Sequence, residues 1–122
     1  FENRALNLLK KENIDFICLA GFMKILSANF IKKISIPILN IHPSLLPRYK
    51  GLNTHYKAIK NGDNFSGATV HKVTQKLDSG KIILQKKIKI LKKDNIKTLS
   101  KKVLNIEHEI YPKAIVKFLT NL

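Results

Sequence analysis

The sequence predicts an α/β fold: a mostly parallel sheet flanked by helices, finished by an antiparallel edge. Two observations predict it. Over residues 1–41 a helical pattern, a short apolar run, a second helical pattern and a second apolar run follow one another, the order of a parallel βαβ unit. Two further strand patterns at 67–74 and 82–90 then lie too close together for a crossover helix, so they pair antiparallel.

The elements follow in order. Ala5, Leu6, Leu8 and Leu9 give one apolar helical face over residues 1–12, and Asn13 ends it. Ile14 to Ala20 is nearly all apolar, the mark of a strand buried on both faces, which makes Cys18 a small core residue. Gly21 breaks the run, and Phe22 to Leu26 form a loop. Ser27 caps a helix over 28–34. Ile36 to Ile41 reads as a second buried strand, and Pro43 and Pro47 bracket an irregular loop closing at Gly51. Asn53 or Thr54 caps a helix to Lys60, which Asn61-Gly62-Asp63 stops. Residues 67–74 form a strand, 75–80 a loop, and 82–90 an alternating, half-exposed strand near a sheet edge. Asp94 caps a last helical region to about residue 121 that bends or restarts at Pro112.

A chain of 122 residues makes one domain at most. With 44% hydrophobic and 25% charged residues it is globular, and no apolar run is long enough to span a membrane. A single cysteine excludes an internal disulfide and points to a reducing, cytoplasmic setting. The net charge of +15 raises nucleic acid as a partner, but Arg4 and Arg48 are the only arginines among 23 basic residues. The lysines are scattered, with no arginine cluster for base edges and no aromatic ladder for stacking. A solvated basic surface is the preferred reading, and a nucleic-acid partner is disfavoured.

Ligands of open α/β sheets bind beyond the carboxyl ends of the strands, which places the loops 21–26 and 42–51 at the functional rim. Asn40 and His42 lie two apart near the end of the second strand, hence on one face. An amide donor beside an imidazole suits acyl transfer. The amide can hold a developing oxyanion, worth about 2.7–4 kcal/mol per donor. The imidazole can move the proton, worth roughly 10²–10⁴ in rate. Asp78, in the loop Gln75 to Gly80 of a chain with eight acidic residues, can favour the imidazolium, although a turn-forming Asp before Ser-Gly is the commoner meaning. His71 either faces this site or packs, His55 reads as a surface or capping residue, and Glu107 and His108 sit together in the last helix. No nucleotide-binding glycine loop, nucleophile elbow or metal-ligand spacing is present, so no metal is expected.

The segments LAGFMKIL (19–26), LNIHPSLLPRYKGLNTH (39–55), GATVHKVTQKLDSGKIILQ (67–85) and EHEIYP (107–112) resemble the folate-dependent formyltransferases, in particular the phosphoribosylglycinamide formyltransferase family. The resemblance runs through nearly the whole chain. It implies a Rossmann-like fold and transfer of a formyl group from 10-formyltetrahydrofolate to the amine of glycinamide ribonucleotide in purine biosynthesis. It makes Asn40 the group that holds the formyl oxygen, His42 the proton shuttle, and Asp78 the carboxylate that raises the imidazole's pKa. Phe22, Met23, Lys24, Ile25 and Leu26, together with Asn40 and Val73, would line the folate pocket. Pro43 and Glu107 would face the ribonucleotide. Lys24 stands where the family commonly has arginine, which weakens planar contacts to the folate tail.

By the same resemblance, residues 1–122 are a catalytic domain without the family's N-terminal strand, its phosphate-binding glycine loop and its C-terminal tail. These residues alone are then expected to bind glycinamide ribonucleotide poorly. Two sister activities, methionyl-tRNA formyltransferase and formyltetrahydrofolate deformylase, remain alternatives, as does a truncated, inactive basic remnant that binds nucleic acid. The oligomeric state is left open, a homodimer included.

Overall fold

A computed structural model describes residues 1–21 and 26–121. Its elements run α1 (Glu2–Lys11), β1 (Ile17–Leu19), α2 (Ala28–Lys33), β2 (Ile38–His42), α3 (Thr54–Lys60), β3 (Phe65–Lys72), β4 (Ile82–Lys89) and α4 (Ile96–Thr120). The sheet order is β1-β2-β3-β4, parallel at β1–β2 and antiparallel at the next two pairings. The α/β class and the switch from a parallel start to an antiparallel edge are as the sequence predicts.

The core lies between the sheet and α4. Ile41 of β2, Ala68 and Val70 of β3, Ala58 of α3, and Leu99, Val103, Ile110 and Ala114 of α4 form one buried cluster. The four α4 residues stand at helical spacing on one face, which is why the helix stays against the sheet along its length. It starts with a capping box: the Asn95 side chain accepts from Thr98 N and the Thr98 hydroxyl accepts from Asn95 N, both at 2.9 Å. The cap is therefore Asn95, one residue later than expected. Asp94 instead braces the turn before the helix, accepting from Leu91 N at 2.8 Å and from Lys102 at 2.6 Å. Nor does the helix restart at Pro112, which lies inside an unbroken Ile96–Thr120. Packing of Ile110 and Ala114 on either side compensates for the one hydrogen bond the proline removes.

Three further expectations are corrected. The first strand covers only Ile17–Leu19 and is not buried on both faces; Cys18 is exposed. Among the described residues this strand of three has a neighbour on one side only, and a strand so placed does not enclose its side chains. Strand β3 begins at Phe65 and ends at Lys72, earlier than its apolar pattern suggested. Finally, β4 does not alternate cleanly: Val70 pairs with Leu84 and His71 with Ile82, so Ile83 is the extra residue of a bulge and joins Leu84 against the core.

Helix α1 has no buried residue, and an apolar groove of about 370 Å³ opens between it, β1 and Phe30 of α2. The Ser27 hydroxyl caps α2 by accepting from Phe30 N at 3.0 Å, as its sequence position predicts. Among the described residues no helix is long and apolar enough to cross a membrane.

Candidate active site

Strand β2 carries the site because its alternation sends Leu39 and Ile41 one way and Asn40 and His42 the other. Register then supplies their neighbours: Asn40 lies opposite His71 and His42 opposite Thr69 on antiparallel β3. Directly opposite residues share a face, so His71 joins Asn40. Asn40 Nδ2 and His71 Nε2 are 3.3 Å apart, and His71 Nδ1 is 3.3 Å from the Lys72 carbonyl. A carbonyl only accepts, so Nδ1 carries the proton and Nε2 accepts from the amide. Burial pushes the His71 pKa down, against the upward pull of the Lys72 carbonyl and Asp78, which keeps this neutral tautomer at pH 7.

The loop after β2 is held by buried polar contacts. The Thr69 hydroxyl donates to Ser44 O at 2.7 Å and accepts from Leu46 N at 3.1 Å, and Gln85 Nε2 donates to it at 2.8 Å and to Leu46 O at 2.9 Å. This clasp lets the loop turn back over β2, through a cis Leu46-Pro47 bond, until the Tyr49 carbonyl lies 2.9 Å from His42 Nε2. Nε2 therefore holds a proton, and Nδ1 is the ring atom left to face the cleft.

Asp78 arrives from the β3–β4 connection. Its backbone has φ 46°, a left-handed conformation that suits Asp better than most residues. One carboxylate oxygen accepts from Gly51 N at 2.8 Å and lies 3.6 Å from His42 Nδ1; the other lies 3.8 Å from His71 Nε2. Two residues on, Gly80 passes so close to β3 that a Cβ there would stand 1.5 Å from the Lys72 carbonyl oxygen. Asn40, His42 and Asp78 thus converge, as their sequence positions suggested.

Two cavities meet at this cluster. The smaller, about 170 Å³, is walled by Leu19, Leu26, Ile31, Val73 and residues 74–77, with Asn40, His71 and Asp78 at its polar end. The larger, about 590 Å³, takes in His42, Pro43, His55 and Glu107, and again Asn40 and Asp78. Leu26 and Val73 therefore lie on one side, and Pro43 and Glu107 on the other. Phe22, Met23, Lys24 and Ile25 fall outside the described residues. Glu107 is half-buried, and that burial raises its carboxyl pKa. His108 is exposed. His55 is not a surface or capping residue: it lines the larger cavity with Nδ1 buried and without a hydrogen-bond partner among the described residues, and burial lowers its pKa. The Asn53 position caps α3 without a side-chain hydrogen bond, at φ 60°. Tyr111 ties α4 to the end of β1 by donating to Leu19 O at 2.7 Å.

Sequence reasoning left two contributors undecided or unseen. His71 could have been paired with Asn40 only by knowing the β2–β3 register. The Tyr49 carbonyl left no side-chain signal.

Fold and site together define an α/β domain whose polar centre, at a strand's carboxyl end, is shared by two cavities. The chain belongs to the formyl transferase family, whose model matches residues 1–115. It is 47% identical over 107 residues to phosphoribosylglycinamide formyltransferase of Haemophilus influenzae, an alignment covering 88% of this chain and 50% of that protein. It is 46% identical over 108 residues to the human trifunctional purine biosynthetic protein adenosine-3, covering 88% of this chain and 11% of that one. Among solved structures, phosphoribosylglycinamide formyltransferase from Anaplasma phagocytophilum superposes with a TM-score of 0.89 at 42% identity, over 93% of this chain and 55% of that one. The chain thus spans about half the length of these single-function relatives.

Proposed function

We propose that this chain carries the transfer centre of a phosphoribosylglycinamide formyltransferase, which moves a formyl group from 10-formyltetrahydrofolate to the amine of glycinamide ribonucleotide. The observation that carries the reading is that Asn40 and Asp78 line both cavities at once. Two ligands seated on either side meet at one amide and one carboxylate, the arrangement a direct transfer between them requires.

The smaller cavity fits the reacting end of the folate. Its walls are apolar, its inner end is polar, and its volume admits one ring rather than a whole ligand, for which pockets of roughly 300–1,000 Å³ are usual. Leu26 and Val73 would hold that ring flat. The bound folate supplies the formyl carbon in activated form. Asn40 has two amide hydrogens; His71 takes one, and the other would donate to the formyl oxygen and stabilise the charge developing there. His42, held through Nε2, receives the amine's proton at Nδ1 and returns it to the departing nitrogen. Asp78, held by Gly51 N, faces that same ring atom and stabilises the charged imidazolium. Pro43 and Glu107 line the side from which the amine approaches, and the half-buried Glu107 carboxylate would orient it.

The test is formyl transfer measured with both substrates, on the wild type and on His42→Ala, Asn40→Ala and Asp78→Asn. Loss of one donor such as Asn40 is expected to cost about 10²–10³ in kcat. Transfer at wild-type rate by His42→Ala would remove the proton-shuttle role and with it the reading.

A further inference from the structure

We propose that Asp63 is a positioning residue for His42, acting through the backbone carbonyl of Tyr49; its catalytic meaning rests on the proton-transfer role given to His42 above. Tyr49 is the bond that holds the imidazole, with its oxygen 2.9 Å from Nε2. Its own backbone is strained, with φ 56°, a left-handed conformation that a bulky aromatic residue rarely adopts. Such a conformation persists only where its surroundings over-determine it, and Asp63 is at the centre of what does so.

The Asp63 carboxylate accepts three hydrogen bonds from the two residues that make the turn. Tyr49 OH donates at 2.8 Å, Arg48 Nε at 2.9 Å and Arg48 Nη2 at 2.7 Å. The last two form a two-pronged arginine–carboxylate contact, which fixes orientation as well as distance. The guanidinium also lies 4.6 Å over the Tyr49 ring. Asn61 donates to the Tyr49 hydroxyl at 2.8 Å, and the Ser44 hydroxyl donates to Arg48 O at 2.6 Å. Asp63 is itself tied down, its N–H donating to Ala58 O at 3.0 Å just past the end of α3. Its side chain is 11% exposed, against 56% for Arg48, so the carboxylate is the fixed member of the pair. Arg48 holds that carboxyl below the usual range, so the clamp stays charged down into the acidic range.

Neither Arg48, Tyr49, Asn61 nor Asp63 lines either cavity at the site. The clamp therefore reaches the site only through the turn it holds, by the Tyr49 carbonyl on His42 and by Gly51, two residues on, which donates to Asp78. With Asp63 removed, the left-handed turn loses three of its bonds, the Tyr49 carbonyl keeps only the longer contact from the Ser44 hydroxyl at 3.3 Å, and the His42 ring gains freedom about its last torsion.

The experiment follows the ring nitrogens and Nε2 proton of His42 by ¹⁵N-resolved NMR in the unliganded 122-residue chain, for the wild type, Asp63→Ala and Tyr49→Phe. In the wild type the Nε2 proton is expected to be protected. In Asp63→Ala its exchange with water should rise at least about tenfold, with a smaller rise in Tyr49→Phe, which keeps the ring packing but gives up one of the three bonds. The ring signals of His71, which does not touch the clamp, should stay where they are and so separate local release from general loosening. If Asp63→Ala does not fold, Tyr49→Phe carries the same reading. An unchanged His42 Nε2 proton in the folded variants, or a His71 shift as large as that of His42, overturns the proposal. None of these measurements depends on turnover, so a failed transfer role for His42 would register in the formyl-transfer assay and not here.

Discussion

Replacing Gly80 with alanine should disconnect Asp78 from the site while leaving the sheet intact. The added Cβ would lie 1.5 Å from the Lys72 carbonyl oxygen, where real Cβ atoms keep at least 3.0 Å, so the two backbones must separate by about 1.5 Å. Strand β3 is the held side: Lys72 faces Leu39 on β2, and the next residue, Val73, donates its N–H to Ile38 O at 2.7 Å. The loop must move instead, carrying Asp78, two residues away. A shift of that size breaks the 2.8 Å bond from Gly51 N and takes the carboxylate away from His42. Losing a hydrogen bond to a charged acceptor costs about 1.5–3 kcal/mol. A misplacement of about 1 Å in a catalytic group can cost 10²-fold in rate. The assay pairs formyl-transfer kcat with the amide resonance of Gly51, which should lose the downfield position that a carboxylate acceptor confers. If Gly80→Ala keeps both the Gly51 resonance and the rate, the loop does not hold Asp78 as described.

Three other outcomes follow from the structure. Leu99→Ala, which empties a fully buried position between α4 and the sheet, should destabilise the fold by about 2–5 kcal/mol in denaturant unfolding, with an unchanged m-value. Asn95→Ala should cost about 1 kcal/mol, the typical worth of a helix cap, and should increase fraying of the first turn of α4 in amide exchange. His71 has a folded pKa below its unfolded value of 6.5, so the unfolded chain binds the proton more readily. Its contribution is complete above pH 6.5 and declines as pH falls through that value toward the folded pKa. His71→Gln should therefore flatten the decline in stability as pH falls below about 6.5, measured by denaturant midpoints at successively lower pH.

Much of the fold and the centre of the site were legible in the sequence. Alternation of apolar residues along β2 placed Asn40 and His42 together without knowledge of any other strand, because period two is a local property. Ser27 and Asn61 marked helix ends for equally local reasons. What escaped was set by non-local placement. Cys18 stands in an apolar run that reads as buried, and its exposure follows from β1 having, among the described residues, a neighbour on one side only. Ile83 breaks its strand's alternation because a bulge lies opposite Val70 and His71. Asp94 and Asn95 are both good caps, and only the reciprocal bonds to Thr98 decide between them. His55 and His71 are both histidines beside a polar loop, yet register and the path of α3 give each its wall of a cavity.

The side of α1 that no described residue covers bears on how the molecule behaves in bulk. Leu8 is 59% exposed beside an open oily trough, while the whole chain carries a charge of +15. At low ionic strength that charge keeps neighbouring molecules apart before their greasy sides can touch. Its reach shrinks to about 8 Å at 0.15 M salt and about 3 Å at 1 M, while apolar attraction does not fade. Colloidal repulsion should consequently give way to attraction as salt is added, so the protein keeps best in dilute buffer and scatters light increasingly in brine.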